Sequence, residues 1–253
     1  MSGNPLQALR ATPSSRTAIE AEASLFQVKA LATFREFVLR PEFPCLGGKA
    51  ALNSDSYVLR AYEEFASSIT TEALADDLLG FTGSELRHAS EYATFIAVFR
   101  GPPNLDEIEF EKLMWRQLTA LNRIDADRFK WDPSVRSDPE DPQFSFSFGG
   151  EALYVIGLHP NSSRQARRFR WPAMVFNPHE QFERLRGDGK WKRMQQTIRE
   201  RDLALQGSIN PMLSDFGEAT EARQYSGRAV EADWRAPFHA ANPAAKGKCP
   251  FGH

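Results

Sequence analysis

The run Phe144-Ser145-Phe146-Ser147-Phe148, followed by Gly149-Gly150 and then Glu151 to Leu158, leaves little choice of local structure. Large apolar and small polar side chains alternate with a period of two, the spacing at which residues of a strand share a face. Two adjacent glycines supply the positive φ that a two-residue hairpin turn asks of both central positions. The residues after the turn are more continuously apolar and read as a more buried return strand. Two strands alone are marginal in water, so the hairpin implies a larger sheet and something packed against it.

The rest of the chain supplies both. Residues 17–39 read as a helix with Leu25, Val28, Phe34, Phe37 and Val38 near one face, stopped by Pro41 and Pro44. Residues 43–49 read as an irregular loop, 70–80 as a helix ending at Gly80, and 92–99 as a strand broken by Gly101-Pro102-Pro103. A helix over 105–123 carries Phe110, Leu113, Met114, Leu118 and Leu121 at helical spacing, with Asp106 and Glu107 in its first turn. A strand over 173–176, a short helix through Phe182 and Leu185, and a polar helix over 190–205 follow. There is no regular βαβ alternation, no glycine-rich phosphate loop and no repeat. The expected fold is therefore α+β: one domain over residues 17–239, a mainly antiparallel sheet with packed helices. Residues 1–16 and 240–253 are expected to be loosely ordered tails.

Composition narrows the function classes. The 253 residues are 42% hydrophobic and 25% charged, ordinary globular usage, and the net charge of −2 suggests neither nucleic acid nor a membrane surface. No apolar run approaches the roughly 20 residues of a membrane span, and the N-terminus has no apolar core of a signal peptide. Cys45 and Cys249 cannot build a disulfide framework, so a reducing, cytoplasmic location is expected.

Between Ala152 and His179 there is no Asp or Glu, while His159, Arg164, Arg167, Arg168, Arg170 and His179 all fall there. Arginine matches carboxylates and phosphates bidentately, so the cluster reads either as an anion site or as a solvated face paired with acidic helices elsewhere. His179 follows Pro178, which disfavours helix at Asn177 and puts the imidazole at the first turn of a new helix, between Phe176 and Phe182. That suits a metal ligand, and equally an ordinary satisfied histidine. Cys45, after Pro44 and before two glycines, reads as a thiolate ligand, a reactive thiol or a small buried hydrophobe. Residues 215–228 mix carboxylates (Glu218, Glu221), Arg223 and the Tyr225 hydroxyl. They read as a grip on a zwitterion or as a surface helix with internal ion pairs.

Taken in order, these segments resemble the YqcI/YcgG family. The resemblance is carried by Phe43-Pro44-Cys45, Ile156-Gly157-Leu158-His159-Pro160, Phe176-Asn177-Pro178-His179-Glu180-Gln181-Phe182-Glu183, Asp215-Phe216-Gly217-Glu218, Arg223-Gln224-Tyr225-Ser226-Gly227 and Asp233-Trp234-Arg235. Characterised family enzymes, among them the arginine hydroxylase of D-cycloserine biosynthesis and the pre-guanitoxin N-hydroxylase, are haem proteins that hydroxylate a guanidine nitrogen. The resemblance implies haem b, dioxygen or peroxide, an external electron donor, and a guanidino or amino substrate. It puts His179 on the iron, a histidine rather than a thiolate, with His159 as runner-up, Arg164, Arg167 or Arg168 on the propionates, Phe176 and Cys45 beside the cofactor, Arg223 or Tyr225 on the substrate carboxylate, and Glu218 or Glu221 on its cationic end. Two other expectations stand beside it: a non-haem iron enzyme using His159, His179 and Glu183, and a haem carrier without catalysis. One departure is Ala236 after Trp234-Arg235, where relatives often have cysteine.

Overall fold

The computed structural model describes residues 13–212 and 216–241. In chain order the elements are α1 (Pro13–Leu39), α2 (Leu46–Asn53), β1 (Tyr57–Glu64), α3 (Ser68–Thr82), α4 (Glu85–Ala89), β2 (Thr94–Gly101), α5 (Glu107–Ala126), β3 (Phe146–Phe148), β4 (Glu151–Leu158), a 3-10 turn (Gln165–Arg167), β5 (Ala173–Pro178), α6 (His179–Gly187), α7 (Lys190–Gln206) and α8 (Ala222–Tyr225). The five strands form one sheet in the order β1-β2-β5-β4-β3. Only β1–β2 is parallel; β2–β5, β5–β4 and β4–β3 are antiparallel. The fold is α+β with a mainly antiparallel sheet, as the sequence implied.

The central strands are buried on both faces, and this divides the core in two. On one face Phe95, Ala97, Phe99, Val155 and Phe176 pack against Leu74 and Leu78 of α3 and Phe110, Met114 and Leu118 of α5. On the other, Ile96, Val98, Leu158 and Val175 pack against Phe26, Ala30, Phe34, Phe37 and Val38 of α1. The buried stripe of α1 therefore runs through Phe26 and Ala30, while Leu25 and Val28, expected near it, are exposed. β1 forms the outer edge. The Gln27 side chain closes part of it by donating to the Leu59 carbonyl at 2.8 Å and accepting from the Ala61 N–H at 2.7 Å, which satisfies groups that would otherwise invite a foreign strand.

The hairpin turn is as expected: Gly149 and Gly150 both have positive φ, at 63° and 79°. α5 begins with a reciprocal cap between Asp106 and Glu109. Residues 46–49, expected as part of a loop, belong to α2, and β1 and α4 are elements the sequence reading did not assign. Most of 1–16 and of 240–253, including Cys249-Pro250-Phe251, lies outside the described residues, although α1 already starts at Pro13. Among the described residues no helix is long and apolar enough to cross a membrane.

Gly157 sits where β4 meets α5 and α8. A Cβ there would lie 2.5 Å from the Phe110 ring and 2.9 Å from the Tyr225 carbonyl. Gly157→Ala is therefore expected to destabilise the protein by about 1–3 kcal/mol, because neither neighbour can yield without moving a packed element. The check is the urea midpoint, which should fall with the slope of the transition unchanged.

Candidate functional site

On the α1 face of the sheet a cavity of about 280 Å³ opens between the sheet, α1, α2, α6 and α7. This is close to the lower end of small-molecule sites. Its walls are mostly apolar: Phe34 and Val38 from α1, Leu52 from α2, Ile156 and Leu158 from β4, Val175 from β5, and Phe182, Trp191, Met194 and Ile198 from α6 and α7. Tyr154, Phe182 and Trp191 form a run of edge-to-face rings, with centroids 5.6 and 5.9 Å apart. The polar wall groups are few: Cys45, Arg164, Arg167, Asn177, Arg186, Arg199, Asp202, Glu221 and Gln224 among them.

Cys45 is the N-cap of α2, where Ser or Asp would be usual, and its sulfur accepts the Gly48 N–H at 3.3 Å. Burial pushes its thiol up, opposed by the N–H groups of Gly48 and Gly47 and by the positive charges of Arg167 and Lys49. Burial outweighs these groups, so the surroundings favour the neutral thiol. Arg167 donates to the carbonyls of Gly157 at 3.0 Å, Gln224 at 3.2 Å and Tyr225 at 3.3 Å. Arg164 is tied to Asp202 of α7 and to the Ser208 carbonyl at 2.9 Å, so one of its functions is to hold α7 over the cavity.

His179 lies at the start of α6, which a buried arginine anchors: Arg87 donates to Glu151 and to Glu180, both at 2.9 Å. This bond holds the Glu180 carboxyl below its usual range. The His179 ring packs on Phe216 with centroids 4.4 Å apart. Its Nε2 lies 3.4 Å from Glu183 Oε1 and its Nδ1 lies 3.5 Å from Glu221 Oε1. Glu221 is buried, lines the cavity, and its other oxygen accepts the Tyr225 hydroxyl at 3.3 Å.

The remaining sequence candidates fall elsewhere. Phe176 is fully buried on the α3–α5 face; its neighbours Val175 and Asn177 line the cavity instead, because successive strand residues point to opposite faces. His159 stacks on Phe110 at 4.5 Å, also on that far face. Arg168 donates to the Ser162 carbonyl at 2.6 Å and is not in the cavity wall. Arg223 donates to the carbonyls of Trp234 and Glu231, fixing the segment after α8. Tyr225 is not in the wall but bonds Glu221 and packs edge-on against the wall residue Tyr154 at 5.7 Å, and Glu218 lies exposed in the turn before α8. His159 and His179 therefore do not meet. Among the described residues no group of three His, Cys, Asp or Glu side chains is placed to hold a metal ion, so the pairing of His159, His179 and Glu183 is not assembled. Gln224 and Tyr154, joined by a 2.8 Å hydrogen bond, belong to the wall without having been singled out, as do Arg186 and Arg199.

The comparisons cover the same region. The model for the YqcI/YcgG family matches residues 34–239. "Uncharacterized protein YcgG" of Bacillus subtilis strain 168 is 29% identical over 218 residues, 83% of this chain and 81% of its own length. "Uncharacterized protein YqcI" of the same organism is 30% identical over 194 residues, 73% of this chain and 75% of its own length. No solved structure matches.

His159 gives a pH prediction. Burial holds its imidazole below the ordinary value, against the pull of Glu107 and the Leu105 carbonyl. A depressed folded pKa means that the stability this group contributes is present above its unfolded value near 6.5 and is lost as pH falls through the folded value. The urea midpoint is expected to drop between about pH 7 and pH 5. The drop should be shallower in His159→Gln, which keeps a donor for Leu105; an equal slope would show that His159 does not contribute.

Proposed function

This chain belongs to the YqcI/YcgG family, and on that premise we propose that it is a haem-dependent oxygenase that hydroxylates a nitrogen of a guanidino or amino compound. The observation that carries the reading is the apolar cavity with a sulfur at one point of its wall and a buried carboxylate at another. An apolar slot with a side chain able to reach iron is the minimum that haem b asks of a protein, and Cys45 in the wall supports the reading.

Cys45 is the better candidate for the iron than His179. It lines the cavity, which His179 does not, and two N–H groups and Arg167 partly offset the burial that keeps its thiol neutral. His179 has a carboxylate against each ring nitrogen. Arg199, also in the wall, would meet a propionate. Bound haem would supply the iron that activates dioxygen or peroxide, with electrons from an external donor.

The protein's own groups account for substrate handling. Glu221 would pair with the cationic nitrogen, since burying such a charge unpaired costs several kcal/mol. The Tyr225 hydroxyl, pushed well above its usual range by burial and by Glu221, stays protonated and fixes one carboxylate oxygen by donating to it. Phe182, Trp191 and Met194 would keep water from the reacting centre.

The test is spectroscopic first. Protein produced with haem supply should be coloured with a Soret band. Cys45→Ser should weaken haem binding by about tenfold or more and alter the band, while His179→Gln should leave it in place. Product from L-arginine or related amines, reductant and oxygen would then establish the reaction. Colourless protein with no affinity for hemin would refute the reading.

A further inference from the structure

We infer that Glu221, His179 and Glu183 form a proton path from the cavity to solvent, through which the cationic nitrogen of a bound substrate loses its proton before it is hydroxylated. The inference rests on the oxygenase reading for its substrate, but the path itself is a matter of geometry.

The three groups are strung from inside to outside. The Glu221 side chain is 7% exposed and lines the cavity; the His179 side chain is 4% exposed; the Glu183 side chain, one helical turn further along α6, is 50% exposed. Each nitrogen of the ring faces a different carboxylate, at 3.5 Å on the cavity side and 3.4 Å on the solvent side. An ordinary histidine in a helix with a Glu four residues on explains the second contact. It does not explain the first, which reaches across to the residue preceding α8.

The state of the inner nitrogen is informative. His179 Nδ1 is buried and makes no hydrogen bond among the described residues, although a carboxylate oxygen lies 3.5 Å away. An imidazole carrying its proton on Nε2, toward Glu183, presents a lone pair at Nδ1. A lone pair and an ionised carboxylate cannot bond to each other; they bond as soon as Glu221 becomes protonated. On the proposed path, Nδ1 takes the proton that Glu221, the carboxylate 3.5 Å from it, has received. The other groups around the path fit this direction. Tyr225 donates to Glu221 and holds its own proton, Arg186 pairs with Glu183, and Phe216 covers the ring.

The step balances without any redox partner. An N–H bond of the ammonium or guanidinium breaks and a Glu221 O–H bond forms, leaving the nitrogen with a lone pair. Glu221 gives that proton to Nδ1 while Nε2–H passes its proton to Glu183, which releases it to water. The ring stays neutral overall and resets by tautomer exchange. An amine nitrogen without a lone pair cannot accept an oxygen atom, so the path performs a step that the reaction requires.

Two experiments test this. With L-arginine and a panel of primary amines, haem-loaded His179→Gln should keep its Soret band and its KM while kcat falls about 10²-fold. The loss should shrink at higher pH, where more free base is present, and added imidazole should restore part of the rate in His179→Gly. Equal kcat in wild type and His179→Gln would overturn the inference. The second experiment needs neither haem nor turnover. In the full chain labelled with 15N-histidine, His179 should be the Nε2–H tautomer, and Glu221→Gln, whose amide can donate to Nδ1, should shift the Nδ1 resonance to that of a hydrogen-bonded nitrogen. A Nδ1–H tautomer in the wild type would overturn the path even if the oxygenase reading stands. A colourless wild type would sink the oxygenase reading and leave this measurement to decide the path.

Discussion

One guanidinium holds the polar end of the cavity together. Arg167 donates to Gly157 in β4 and to Gln224 and Tyr225 in α8, and its own carbonyl accepts the His159 N–H at 3.1 Å. These bonds draw α8 down onto β4 at the point where Gly157 has no side chain to keep it away. Because α8 is seated there, Glu221 and Gln224 reach the cavity and the Tyr225 ring fills the core beside Trp115 at 5.8 Å. All three acceptors of the guanidinium are neutral carbonyls, so its charge is spread over the wall rather than cancelled by a partner carboxylate. That leftover positive potential is felt at Cys45 and at Tyr154, where it opposes the effect of burial.

The same economy governs α6. A helix start inside a protein needs its free N–H groups and its first side chains held in place. Here Arg87, itself buried, bridges Glu151 at the start of β4 and Glu180 in the first turn of α6. Pro178 ends β5 and hands the chain to α6 without a side-chain cap. His179 thus inherits its position from a strand end, a buried ion pair and a proline. None of these depends on what the imidazole does, which leaves it available for chemistry.

Local structure was legible from the sequence because it is decided locally. The paired glycines of the hairpin, the period of α5 and its acidic first turn each carry their own physical cause. α2 was hidden because Gly47 and Gly48 lower helix propensity and because its cap is a cysteine. The face of Phe176 was hidden for another reason. β5 is buried on both sides, so its sequence lacks the polar alternation that shows which residues point where. The residue with the strongest motif was placed correctly at a helix start, yet its partner Glu221 is distant in sequence and comes from a segment whose obvious candidates, Arg223 and Glu218, point elsewhere. Long-range pairing is decided by the register of α8 on β4, and Gly157, which sets that register, looks like any strand glycine until Phe110 is seen against it.

The wall's electrostatics are asymmetric, and this bears on which residue suits which task. Near Cys45 the neighbours are N–H groups and cationic side chains; near His179 they are carboxylates. Burial holds the thiol in its neutral form in the first setting, and the N–H groups and Arg167 offset only part of that effect. An imidazole in the second setting has a carboxylate oxygen 3.4 or 3.5 Å from each nitrogen, so a metal could approach one only if Glu183 or Glu221 moved aside. A ring between two carboxylates is well suited to passing protons and poorly suited to donating a lone pair to iron. On the proposed reading, the cavity thus sets N–H groups and cationic side chains at its cofactor end and carboxylates at its substrate end. It arrives at that polarity with side chains from five separate segments of the chain, which is why no single motif announces it.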